Sequence, residues 1–166
     1  MDRKASLAAA LILVVALGGF VYWVTTNTQF GRGISVGDTA VDIQFTTLDG
    51  TPFRLSDQRG KVVVVDFITT SCSICVQEFD VLRQLSGRAD VKVVSINLDG
   101  VNQTFLSQYA RILNVTWTVG GSAAAGTDYK VSGVPTLLVV DRGGVIRYRG
   151  YYTSFEALDQ VISQYG

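Results

Sequence analysis

The segment KVVVVDFI, Lys61 to Ile68, constrains the fold of this chain more than any other. A β-branched run without polar alternation is a strand covered on both faces, so its sheet carries further structure on each side. The run leads into TTSCSICVQEF, Thr69 to Phe79, which holds the chain's two cysteines, Cys72 and Cys75. Beyond them Val76, Phe79, Leu82 and Leu85 fall on one stripe at helical spacing, with Gly87 as the expected stop. The cysteines therefore sit at a strand-to-helix junction.

Around this junction the elements alternate. Val41 to Asp57 alternates apolar and polar residues about Asp49-Gly50, a hairpin signature. Val91 to Asp99 is a second buried strand, and Val101 to Leu113 an amphipathic helix with Phe105, Leu106, Tyr109 and Leu113 inward. TWTV makes a short strand, and GSAAAGTDYKV a helix that Gly126 weakens. Strands at Thr136–Asp141 and Val145–Tyr152 flank an Arg142-Gly143-Gly144 turn, and a last helix is capped by Ser154. Strands alternating with helices, and a hairpin ending the sheet, predict an α/β fold with a mixed central sheet.

Composition narrows the function. Acidic and basic residues balance at 14 each, so no net field attracts nucleic acid. The chain has no histidine, which removes imidazole catalysis, imidazole haem ligation and most zinc or copper sites. At the N-terminus, twenty residues from Ala5 to Val24 carry no charge. A helix rising about 1.5 Å per residue crosses a ~30 Å hydrocarbon core with that length. Arg3 and Lys4 precede the segment and Tyr22 and Trp23 close it, which predicts a single-pass anchor with a cytoplasmic N-terminus and the rest of the chain outside. The alternative, a cleaved signal peptide, has an apolar region of only ~7–15 residues. The expected division is an anchor over 1–25, a flexible linker over 26–34, lying within a Gly-, Thr- and Asn-rich stretch from Thr25 to Asp38, and one folded domain over 35–166.

A Cys-x-x-Cys at a helix start has a physical rationale. Unpaired amides and the helix dipole stabilise a thiolate at the first cysteine, and the second lies within one turn. Structural zinc wants four ligands, and this chain supplies two thiols and no imidazole. Two inert thiols packed as small hydrophobes are the remaining alternative. Position and spacing favour a redox pair.

Taken together, VGDTAVDIQFTTLDGTPFRLSDQRGKVVVVDF, CSICVQEF and VSGVPTLLVVDRGGVIRYRGYY resemble the membrane-tethered thioredoxin-like reductases of the TlpA/ResA type, from Val36 to the C-terminus. The resemblance implies a thioredoxin-like fold with an added N-terminal β-hairpin, and an oxidoreductase that works by thiol–disulfide exchange. Cys72 is then the exposed nucleophile and Cys75 the resolving thiol. Pro135 matches the proline that is cis in such folds, and Val134 beside it, with Ser73 and Ile74, contacts substrate. Asp66, a lone charge in an apolar strand six residues before Cys72, matches a buried proton-shuttling aspartate. Glu78 matches a glutamate beside the thiols, and either acid serves as general base for Cys75. The resemblance further implies protein disulfide substrates such as apocytochrome c, a membrane electron donor for thiols, no metal or organic cofactor, and a monomer.

The sequence departs from that pattern at several points. Ser71 replaces the tryptophan before the first cysteine, and Thr69-Thr70 replace an aromatic-rich turn. Ser73-Ile74 between the cysteines include no proline, and Ser95 stands where a lysine often faces the buried aspartate. Three other readings are weaker. Thr69 and Cys72 echo the Thr-x-x-Cys of peroxiredoxins, but Val65 stands where their proline is expected. Copper handling of the Sco type needs a wider cysteine spacing and a histidine. A non-catalytic binding module has no reason to keep both cysteines, Pro135 and Asp66. Two Asn-x-Thr triplets, at Asn102 and Asn114, matter only in an organism that glycosylates exported proteins.

Overall fold

The computed structural model describes residues 31–166. The apolar segment and most of the linker lie outside the described residues. Five strands form one mixed sheet in the order β7-β6-β5-β8-β9. They are β5 (Val62–Ile68), β6 (Val91–Asn97), β7 (Thr118–Gly121), β8 (Thr136–Val140) and β9 (Ile146–Gly150). β6 and β7 run parallel to β5, each reached through a helix, α1 (Ser73–Ser86) and then α2 (Gln103–Ile112). β8 and β9 are antiparallel and joined by the predicted turn. The chain closes with α3 (Ala123–Asp128) before β8 and α4 (Phe155–Tyr165) after β9.

β5 is central and all seven of its residues are buried. Its period-2 alternation divides the core in two. Val63, Val65 and Phe67 face a cluster containing Phe53, Leu55, Ala125 and Tyr129. Val62, Val64 and Ile68 face Cys75, Phe79, Leu82 and Leu85 of α1, and Leu158 and Ile162 of α4. Asp66 shares their parity, so its carboxyl lies on the α1 side of the sheet.

The predicted hairpin forms between β3 (Gln44–Thr46) and β4 (Pro52–Arg54), with Phe45 stacked on Phe53 at 4.9 Å. Asp49 closes its turn by accepting hydrogen bonds from the Thr51 backbone and hydroxyl at 3.1 and 2.8 Å. The hairpin docks on the edge strand β7, where Leu48 N–H donates to Val119 O at 2.9 Å.

Within the stretch read as linker, β1 (Arg32–Gly33) pairs with β2 (Thr39–Ala40), and Arg149 donates to Ile34 O at 2.8 Å. Two expectations are corrected. Val76 is 37% exposed; the inward line of α1 is instead Cys75, Glu78, Phe79, Leu82 and Leu85. Phe105 is 49% exposed, and α2 turns Leu106 and Ala110 inward, with Tyr109 and Leu113 partly buried beside them. Each misplaced residue sits one position off the true stripe, which rotates it by about 100° around a helix of 3.6 residues per turn. The glycine that weakens α3 has a packing reason: a Cβ on Gly126 would lie 3.0 Å from both Leu98 methyls.

Candidate functional site

β5 ends at Ile68, and four residues later the chain turns into α1. The Thr69-Thr70 turn is held by Asp99, just beyond β6, whose Oδ2 accepts from the Thr70 backbone N–H and hydroxyl, both at 2.8 Å. The residues that replace an aromatic turn thus fasten the loop to the neighbouring strand. Cys72 follows as the N-cap of α1, its Sγ accepting from Cys75 N–H at 3.0 Å. One amide of the helix start points at the sulfur that a thiolate would occupy.

The two sulfurs form a disulfide, with 5.3 Å between their Cα atoms. Their surroundings differ. Cys72 is half-buried, while Ser73 is exposed and Ile74 is 49% exposed on the first turn. Cys75 has no exposed surface and packs among Phe79, Leu82 and the even-numbered residues of β5. Val134 packs against the same cluster as Cys72, and the Val134–Pro135 peptide is cis, with Pro135 buried at the start of β8.

Two carboxyls share the layer beneath Cys75. Glu78 lies three residues along α1 on its inward side, and Asp66 faces it from β5; neither has any exposed surface. Each is held through one oxygen. Glu78 Oε1 accepts from Thr153 N–H at 3.1 Å, and Asp66 Oδ2 accepts from the Ser95 hydroxyl at 2.9 Å. Asp66 Oδ1 and Glu78 Oε2 are buried without a hydrogen-bond partner among the described residues. Burial pushes the Glu78 carboxyl up to about 7, with the Thr153 amide working against it. Burial also raises Asp66 well above the ordinary carboxylate range, the charge of Glu78 adds to the rise, and the Ser95 bond opposes it. None of the ion pairs among the described residues includes either acid. Two buried carboxyls raised above the ordinary range, on the same side of the sheet as a buried thiol, are equipped to give and take protons during disulfide exchange.

The structure therefore brings Asp66, Cys75 and Glu78 into one buried layer and sets Cys72, Ser73, Ile74 and Val134 at its outer edge. Sequence reasoning missed the groups that hold the acids. Ser95 registered only as a lost lysine, Trp117 only as part of a short strand, and Thr153 not at all. It also ran β9 on to Tyr152. The strand ends at Gly150, which leaves Tyr151 and Tyr152 60% and 52% exposed in a loop tied to α1 through the Thr153–Glu78 bond.

The chain is similar to known proteins. The chain is 28% identical over 145 residues to the thiol-disulfide oxidoreductase ResA of Geobacillus kaustophilus, covering 84% of this chain and 82% of that one. It is 29% identical over 143 residues to the thioredoxin-like protein YneN of Bacillus subtilis, covering 82% and 84%. A crystal structure from Chlorobium tepidum, described as a thiol:disulfide interchange protein DsbE, superposes with a TM-score of 0.72 at 27% identity over 80% of this chain and 98% of that one. The fold is thioredoxin-like, and the sequence model of the Redoxin family matches residues 35–162. The chain belongs to the Redoxin family and stands within it among the thiol–disulfide oxidoreductases.

Proposed function

We propose that this oxidoreductase is tethered to the cytoplasmic membrane by its N-terminal segment, with its folded domain on the outer side. There it reduces disulfides in cell-envelope proteins, apocytochrome c among them. The observation that carries the mechanism is the inequality of the two sulfurs: Cys72 is accessible at a helix N-cap, and Cys75 is sealed above two carboxyls.

The Cys72 thiolate attacks one sulfur of a substrate disulfide. A new S–S bond joins Cys72 to the substrate, the old bond breaks, and its electron pair leaves on the substrate's second sulfur. Cys75 then loses its proton to a buried carboxylate and attacks Cys72 Sγ. That step closes the Cys72–Cys75 disulfide and releases the first substrate sulfur as a thiolate. Ile74, Tyr151 and Tyr152 supply exposed apolar contacts for a polypeptide, with Ser73, Val134 and Pro135 beside the sulfurs. The reducing direction is supported by the surroundings of the pair. Stabilising the thiolate form makes such a protein an oxidant, and here the groups packed below Cys75 are acids. Sustained reduction outside the cytosol needs a supply of electrons, which we assign to a membrane thiol carrier; the protein acts as a monomer. The tether is supported by the twenty uncharged residues after Arg3 and Lys4.

Trapping tests this reading. Full-length Cys75→Ser expressed in cells should accumulate mixed disulfides between Cys72 and envelope proteins, apocytochrome c among them, all released by dithiothreitol. Cys72→Ser should trap none. Adducts absent from the first variant, or equal in both, would contradict the assignment of the two sulfurs.

A further inference from the structure

Asp66 is held by a chain of two side chains that come from neither β5 nor α1. Ser95 is its register partner across the parallel ladder, with the hydroxyl 2.9 Å from Asp66 Oδ2. Trp117, just before β7, brings its indole Nε1 to 2.9 Å from the same hydroxyl oxygen. An indole N–H only donates, and a hydroxyl has a single hydrogen to give. The direction of the relay follows. Trp117 donates to Ser95, and the Ser95 hydrogen goes to Asp66 Oδ2. Asp66 Oδ1 has no partner among the described residues, which makes it the oxygen for the titrating proton of the carboxyl.

We propose that Ser95 and Trp117 are positioning residues for thiol–disulfide exchange, holding Asp66 Oδ2 as an acceptor and leaving Oδ1 as the atom that exchanges a proton with Cys75. The proposal rests on the reading above, in which Cys75 resolves and Asp66 is its proton partner. When a thiolate opens the oxidised pair, it bonds to Cys72 Sγ and the Cys72–Cys75 bond breaks. The electron pair goes to Cys75 Sγ, which takes the proton from Asp66 Oδ1. The Ser95 hydroxyl then stabilises the resulting carboxylate. In the reverse step Cys75 returns its proton to Oδ1 as its sulfur attacks Cys72. A neutral donor thus stands where the related folds often place a lysine. It stabilises the ionised acid without adding a charge beside the thiols. The other titratable groups whose charge acts on or is felt from Asp66 are Glu78 from α1 and Tyr109 from α2, and Cys75 of α1 packs on the same side of the sheet. β8 offers Leu137 across the ladder, and α4 offers Leu158 and Ile162.

The test is the pH dependence of resolution in the reduced full-length protein. Cys72 is charged with an aromatic disulfide reagent, and the second thiolate released reports attack by Cys75. Asp66→Asn identifies the bend in the profile that belongs to Asp66 by removing it. Ser95→Ala should move that bend upward by about one pH unit, because the ionised carboxyl loses the Ser95 hydroxyl that donates to it. Trp117→Phe keeps the ring packed on Phe79 and should move it upward by less; Ser95→Thr should restore the wild-type position. A merely structural role would change stability and leave the bend in place. If Asp66→Asn removes the bend and Ser95→Ala does not move it, the positioning role is overturned while the exchange mechanism stands. If Asp66→Asn leaves the profile unchanged, Asp66 is not the proton partner, and both fall together.

Discussion

Glu78 keeps its place in the core with one backbone amide for support, and the consequence is a pH-dependent stability of definite sign. Its ordinary pKa of 4.5 is raised to about 7 in the fold. Between those values the folded protein holds a proton that the unfolded chain has released, so stability falls as pH rises across that window and levels off above it. Asp66 acts in the same direction, from its ordinary 3.8 upward. Urea denaturation of the oxidised protein should show lower stability at pH 7 than at pH 5. In Glu78→Gln that difference should shrink by on the order of 1–2 kcal/mol, the remaining slope belonging to Asp66. An undiminished slope would mean that Glu78 is ionised in the fold. Both acids were legible in the sequence, Asp66 as a charge inside an apolar strand and Glu78 one turn beyond Cys75. Their partners were not. The Ser95 contact depends on the register of β5 against β6, and Trp117 reaches it across a second ladder. Neither register is written in local periodicity.

Among the elements, the hairpin shows how an addition to a sheet is secured. β3 and β4 bring Phe45 over β7, and the approach is so close that a Cβ on Gly120 would lie 2.3 Å from the Phe45 ring and 2.7 Å from Thr46 O. Gly120→Ala should therefore push the hairpin off the edge strand and destabilise the protein by roughly 1–3 kcal/mol, as overpacking does. Urea or thermal unfolding measures it; an unchanged midpoint would mean that the hairpin is not seated there. The hairpin itself was legible from its alternation about Asp49-Gly50, and β5 and β6 from their unbroken apolar runs. Helix phase was less so. Cys75 and Glu78 occupy inward positions of α1 that an apolar count assigns to Val76, because a thiol and a carboxyl do not register as core. In α2 the amphipathic pattern admits Phe105 as well as Leu106, but the buried line runs through Leu106 and Ala110, and an alanine gives that pattern little weight.

Over the whole described chain, a mixed sheet covered on both faces places the disulfide just beyond the carboxyl end of β5. The half-buried sulfur of Cys72 lies toward solvent, and the acids lie in the core. This arrangement bears on the direction of electron flow. On the proposed reading, a dithiol whose buried member lies over acids gains little from ionising, which favours its disulfide form and makes the reduced pair a donor of electrons. The resemblance read from CSICVQEF and VSGVPTLLVVD carried the fold and the pairing of Cys72 with Cys75. The departures at Ser71, Ser73-Ile74 and Ser95 left the potential open, because it depends on groups assembled from several strands. The central claim is therefore tested most directly by the reduction potential of the Cys72–Cys75 pair, measured on the full-length protein by equilibration with dithiothreitol or glutathione and counting of free thiols. A potential near that of thioredoxin, about −270 mV, is the expected result. A value near about −120 mV would make the protein a disulfide donor and contradict the reducing role.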